Sequence, residues 1–149
     1  MCREEGRALA NLHASGKLGS ASLIGVIKEV APVSKAPTDK ELGVKSFHDN
    51  YFPFDLYRNR ELNFYSYLGN RSIFSQIPAN PLKWFSGYKS MMARMKQNNI
   101  KGNMAGEGIT LGGVLVVSES KGIVYSYQEE TNSPIPEEQI IAAVRSLEE

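Results

Sequence analysis

The chain has 149 residues, 42% of them hydrophobic, which is enough for one domain with a single core. A formal net charge of +1 leaves no excess that would point to nucleic acid or a strongly acidic partner. The single cysteine, Cys2, excludes an internal disulfide framework, and the two histidines, His13 and His48, argue against a dedicated metal site, so neither metal nor cofactor is expected.

Residues 3 to about 17 read as a helix. Ala8, Leu9 and Leu12 make a modest apolar stripe, and Gly16 and Gly19 follow as stop signals. ASLIGVIKEV (21–30) is a continuous β-rich run of the kind buried in parallel sheets. A loop with Pro32 and Pro37 comes next, with a short helix expected near Asp39–Leu42. A short strand is expected at Phe54–Tyr57, then a polar turn and a helix from about Arg60. Pro78 and Pro81 break the chain before PLKWFSGYKSMMARMKQNN, a helix with Pro81 in its first turn.

LGGVLVV (111–117), the polar turn SESKG and the alternating IVYSYQE (123–129) form a β-hairpin. A last helix starts near Pro136 with Ile140, Ile141, Val144 and Leu147 on one face. No apolar run is long enough to span a bilayer, and MCREEGRALA lacks the order of a secretory signal. A cytoplasmic location is therefore expected, and Asn70-Arg71-Ser72 is read as a chance match to a glycosylation pattern.

Helix, parallel-type strand, further helices, hairpin and closing helix follow the order of a thioredoxin-like α/β fold without its first strand. That strand lies inside the sheet, between the second strand and the hairpin. Without it, the strands near 23–28 and 112–117 have open edges facing a gap. The expectation is a single thioredoxin-like domain over residues 1–149, incomplete at its N-terminus.

CREEGRALANLH, LIGVIKE, FDLYRNRELNFYSYLG and GEGITLGGVLVVSESKGIVYSYQEE together resemble the peroxiredoxin-like 2 family, which includes selenoprotein U. The resemblance implies a thioredoxin fold with a C-x-x-C redox motif, whose first position is selenocysteine in some members. Cys2 matches the second cysteine, followed by Arg3, Glu4 and Glu5. Cys2 is thus the expected resolving thiol, and the attacking residue is expected two positions before Met1.

In such a motif the first thiol sits at a helix N-terminus, where free N–H groups and the helix dipole stabilise its anion. It attacks, and the second cysteine resolves the intermediate as a disulfide. The implied activity is antioxidant reduction of peroxides, or of a lipid endoperoxide such as a prostaglandin precursor. The implied electron donor is thioredoxin or a similar dithiol.

GEGITLGG fails as a phosphate loop, because its spacing departs from G-x-G-x-x-G and a strand follows it rather than a helix. In thioredoxin-like folds the segment before this strand faces the thiols and usually carries a cis-proline. Thr110 and Leu111 stand at that place, with no proline, which favours a small substrate in the groove they would line. Plain backbone packing is the other reading of this segment.

Trp84, Phe85, Tyr88, Met91, Met92 and Met95 form a stripe that reads first as core. A membrane surface, given the interleaved Lys83, Lys89, Arg94 and Lys96, and the lining of an apolar channel are the alternatives. Glu4 and Glu5 are acid/base candidates whose ordinary role is to complement the helix dipole. His13 lies too far along the helix to activate Cys2. The competing functional reading is a non-catalytic thioredoxin-like binding or regulatory module.

Overall fold

The computed structural model describes residues 2–28, 43–59, 61, 63–76, 81–100 and 110–148. Helix α1 (Cys2–Ala14) carries Glu4 and Glu5 in its first turn and His13 in its last, the charge order the helix dipole favours. It ends as a Schellman cap. Gly16 adopts φ +70°, its N–H donates to the His13 carbonyl at 2.9 Å, and the Lys17 N–H donates to the Leu12 carbonyl at 3.0 Å.

Strand β1 (Gly25–Ile27) pairs in parallel with β2 (Leu56–Arg58), with Gly25 opposite Leu56. Helix α2 (Val44–Asn50) lies between them in sequence. The parallel strand expected in 21–30 is present at its centre, half-buried along its length. The strand expected at Phe54–Tyr57 sits slightly later, because the Phe54 N–H turns back to the Phe52 carbonyl at 2.9 Å after Pro53. The helix expected from Arg60 shrinks to one turn, α3 (Asn63–Ser66), since Gly69 and Asn70 both take positive φ just beyond it. The helix expected near Asp39–Leu42 falls outside the described residues.

After a 3₁₀ turn at Ile73–Gln76, α4 (Pro81–Gln97) begins at the proline the sequence placed in its first turn. Strands β3 (Gly113–Ser118) and β4 (Gly122–Gln128) form the antiparallel hairpin, with an irregularity at Val116/Val117. Helix α5 (Glu137–Arg145) follows Pro136.

The principal core joins both ends of the chain. Leu12 and Leu18 from the α1 region meet Val116 of β3, Ile135, and Ile140 and Val144 of α5. Ile140 is only 2% exposed, and Ile141 and Leu147 pack alongside, as the helical spacing predicts. A second cluster is built from Tyr51, Met95 and Ile100, with Phe47 and Met91 against them.

This second cluster corrects the reading of the α4 stripe as core. Met95 is buried and Met91 partly so, but Phe85 is 65% exposed, and Tyr88 and Met92 also face outward. Among the stripe's described side chains only Met91 and Met95 are withdrawn from solvent, and that of Trp84 lies outside the described residues.

The two ladders stay separate among the described residues: β1–β2 is one two-stranded sheet and β3–β4 another.

Candidate active site

Cys2 is the first residue of α1, and the side chains following it fix this end of the helix. Glu4 receives a 2.7 Å ion pair from Arg94 Nε of α4, and Arg94 also donates to the Asn132 carbonyl at 2.9 Å. Both side chains are largely withdrawn from water, so their charges are weakly screened. One guanidinium thereby holds the start of α1, the last turn of α4 and the connection from β4 to α5 together. Arg3 and Arg7 approach the buried Tyr51 ring, at 5.0 and 4.9 Å from its centroid. Arg7 also donates to the carbonyls of Asn50 at 2.8 Å and Asn98 at 3.2 Å.

Glu5 lies one turn from Cys2. Burial pushes its carboxyl pKa up to about 8, and repulsion from Glu129 and Glu4 adds to the rise. Glu129, just past the end of β4, is 4% exposed. Its Oε2 accepts the Gly112 N–H at 2.7 Å, while its own N–H donates to the Gly112 carbonyl at 3.0 Å. Gln76 secures this corner by donating to the Glu129 carbonyl at 2.8 Å and accepting the Thr131 N–H at 2.5 Å. Tyr127 belongs to the same neighbourhood: burial raises its phenol pKa, and the charge of Glu5 contributes.

Gly112 is the residue after the predicted groove pair. Thr110 is half-buried, forms an isolated antiparallel bridge to Ser72, and accepts a hydrogen bond from Lys28 Nζ at 3.1 Å. Lys28 stands at the carboxyl end of β1, where open parallel sheets usually present their ligands. The Leu111 N–H donates to the Arg71 carbonyl at 2.9 Å, and its side chain is buried at 3% exposure. Next in line, Gly113 has no room for a side chain: a Cβ would lie 2.0 Å from the Tyr127 carbonyl oxygen and 3.0 Å from Leu68 Cδ2. Close backbone packing of this segment, one of the two readings made from sequence, is therefore real at Gly113.

Three pieces of chain converge: the first turn of α1 through Glu5 and Glu129, the end of β1 through Lys28, and residues 110–112. Glu129 and Lys28 escape notice in the sequence because each is an ordinary charged residue at a strand end. Only the long-range pairing gives them a role. His13 packs edge-on against Phe54, with ring centroids 5.0 Å apart, about 16 Å along the helix from Cys2. His48 pairs with neighbouring Asp49 at 2.9 Å on α2. No group of three or more His, Cys, Asp or Glu among the described residues is arranged to hold a metal ion.

A family model described as AhpC/TSA antioxidant enzyme matches residues 20–131. Among curated proteins the chain is similar to the prostamide/prostaglandin F synthase of Sus scrofa, 28% identical over 147 residues, covering 97% of this chain and 67% of that protein. The prostamide/prostaglandin F synthase of Bos taurus is 27% identical over 147 residues, with the same coverage. No solved structure matches the chain. The family match begins after α1, whereas the two relatives align across almost the whole chain, Cys2's helix included. The mixed helix-and-strand architecture is consistent with a thioredoxin-like fold, and the family supports a redox role. On a match spanning most of its length, the chain belongs to the AhpC/TSA antioxidant enzyme family.

Proposed function

We propose that this chain is the greater part of a thiol- or selenol-dependent reductase of peroxides or lipid endoperoxides, with Cys2 as its resolving thiol. The attacking cysteine or selenocysteine stands two positions before Met1, at the end of a strand that enters between β1 and β3. One strand there would join the two separate sheets into a single thioredoxin-like sheet and satisfy both facing edges. The matched relatives extend beyond the 67% of their length that this chain covers, which leaves room for a segment of this kind.

The attacking thiolate or selenolate breaks the O–O bond. From a hydroperoxide or hydrogen peroxide an alkoxide or hydroxide leaves, giving a sulfenic or selenenic acid; an endoperoxide opens to an alkoxide and stays bound through its other oxygen as a sulfenate or selenenate ester. Cys2 then attacks that sulfur or selenium, an S–S or Se–S bond forms, and the oxygen leaves as water from the acid or as the substrate's second alcohol from the ester. The proton lost by the Cys2 thiol balances the one gained by the leaving hydroxide or alkoxide. Glu5 keeps its proton at neutral pH and is the group we assign to relay it. Thioredoxin or a similar dithiol then returns two electrons, restoring both groups. Thr110 borders the groove above the thiols, and Leu111 supports it from below.

The observation that carries this reading is that Glu129, which accepts the Gly112 N–H at 2.7 Å, also lies within electrostatic reach of the buried Glu5 in the first turn of α1. The same arrangement would seat a substrate between the thiols and the loop before β3. The similarity to proteins named prostamide/prostaglandin F synthase favours a lipid peroxide bridge over hydrogen peroxide alone.

The test is a thioredoxin-coupled assay on the form extended upstream through the first position of the motif. Cys2→Ser should reduce turnover of hydrogen peroxide and of a lipid endoperoxide by at least about a hundredfold. Unchanged turnover would remove Cys2 from the mechanism. Absence of turnover in the unmutated extended form would favour the non-catalytic binding module, to which the outward residues of α4 lend support.

A further inference from the structure

The outer face of α4 is used by nothing described so far. Leu82, Phe85, Lys89, Met92 and Lys96 follow one another at i, i+3, i+7, i+10 and i+14, and all are exposed, Leu82 to 78% and Phe85 to 65%. The helix PLKWFSGYKSMMARMKQ holds four cationic residues, Lys83, Lys89, Arg94 and Lys96, and no Asp or Glu. Arg94 is turned inward onto Glu4, while Lys89 and Lys96 lie within the apolar stripe. Toward its C-terminal end the helix borders an open, mostly apolar groove of about 520 Å³ lined by Met92, Ala93, Met95, Lys96 and Ile100. A chain of net charge +1 has thus gathered flexible apolar side chains and uncompensated positive charge on a single exposed helical face.

We propose that this face docks on an anionic lipid bilayer. Leu82, Phe85 and Met92 enter the acyl boundary, while Lys89 and Lys96 extend to the headgroups. Charge selects this occupant over a second copy of the chain. Two such faces packed together would oppose lysine to lysine with no carboxylate on either helix to pair them. The helix lies on the surface and does not enter: no helix among the described residues is long and apolar enough to cross a membrane. The groove beside Met92 gives one displaced acyl chain a place to lie. The proposal is independent of the thiol chemistry, since none of these five residues is assigned a part in the candidate active site.

The experiment is co-sedimentation of the 149-residue chain with vesicles of phosphatidylcholine alone, or with one part in three of phosphatidylserine. Binding to the phosphatidylserine vesicles that weakens with added salt is expected, with little binding to phosphatidylcholine. Lys89→Gln with Lys96→Gln should weaken that binding by roughly thirtyfold. Phe85→Ser with Met92→Ser should abolish it although the charge is unchanged. All four positions are solvent-exposed, so circular dichroism of both variants should match the parent. No binding to anionic vesicles, equal binding to both vesicle types, or binding insensitive to both double variants would overturn the proposal. So would self-association of the parent that Phe85→Ser with Met92→Ser abolishes, which would assign the face to a second copy. Loss of peroxide turnover in the extended form would leave these results untouched, so failure of the redox reading and failure of this one are distinguishable.

Discussion

Glu5→Gln should make the protein more stable, and by an amount that depends on pH. Burial and the neighbouring Glu129 and Glu4 all penalise the charged form and push the carboxyl pKa up to about 8 in the fold, against an ordinary value of 4.5. Between those values the unfolded chain has released the proton while the native chain still holds it. The native state therefore binds more protons, and stability falls as pH rises through this window, then levels off above it. Each pH unit is worth about 1.36 kcal/mol, so at pH 7 the penalty comes to roughly 3 kcal/mol. Glutamine carries no such penalty.

Urea unfolding followed by circular dichroism should show the variant and parent within about 0.5 kcal/mol of each other near pH 4. The variant should lead by about 4 kcal/mol near pH 8. Glu129→Gln, which keeps an acceptor for the Gly112 N–H, should move the parent's pH dependence to lower pH by removing one source of repulsion. A Glu5→Gln effect of the same size at pH 4 and pH 8 would refute the reasoning, since it would mean that packing rather than protonation sets the difference.

Arg94→Ala should cost about 1–3 kcal/mol in chemical denaturation, because it strands the Glu4 carboxylate at 13% side-chain exposure; adding Glu4→Gln should recover part of that loss. Gly113→Ala should lower the melting temperature and destabilise by about 2 kcal/mol or more, as its methyl group meets the Tyr127 carbonyl oxygen across the hairpin. Ile140→Ala, at 2% exposure in the main core, should cost about 3 kcal/mol with an unchanged urea m-value.

The elements readable in the sequence were those whose stability is local. Pro81 at the first turn of α4, the alternation of IVYSYQE, and Ile140 and Val144 one turn apart on α5 each carry their signal within a few residues. The boundaries that moved were set by backbone turns, at Phe52–Phe54 and at Gly69–Asn70, which apolar patterning does not encode. The α4 stripe misled because periodicity reports amphipathic character without saying whether the apolar side is covered. Met95 found partners in Tyr51 and Ile100, whereas Phe85 found water. At the candidate site, Cys2 and Thr110–Leu111 were named from family motifs. The charges around them, Glu129 and Lys28, act through partners about 80 to 125 residues away in sequence (Lys28 to Thr110, Glu129 to Glu5), a distance no local pattern spans.

The main core ties the two ends of the chain together, and this has a consequence for how the molecule opens. Leu12 of α1 is buried by Ile140 and Val144 of α5 and by Val116 of the hairpin, so these elements share one set of contacts. Amide exchange in α1, β3, β4 and α5 should slow to a common, global rate, because none can be exposed without the others. The short β1–β2 ladder and the Tyr51–Met95–Ile100 cluster have their own smaller contact set and should exchange earlier, through partial opening. The helix that begins at Cys2 is thus held by residues at the far end of the chain. Removing α5 should release α1 before it disturbs the parallel strands.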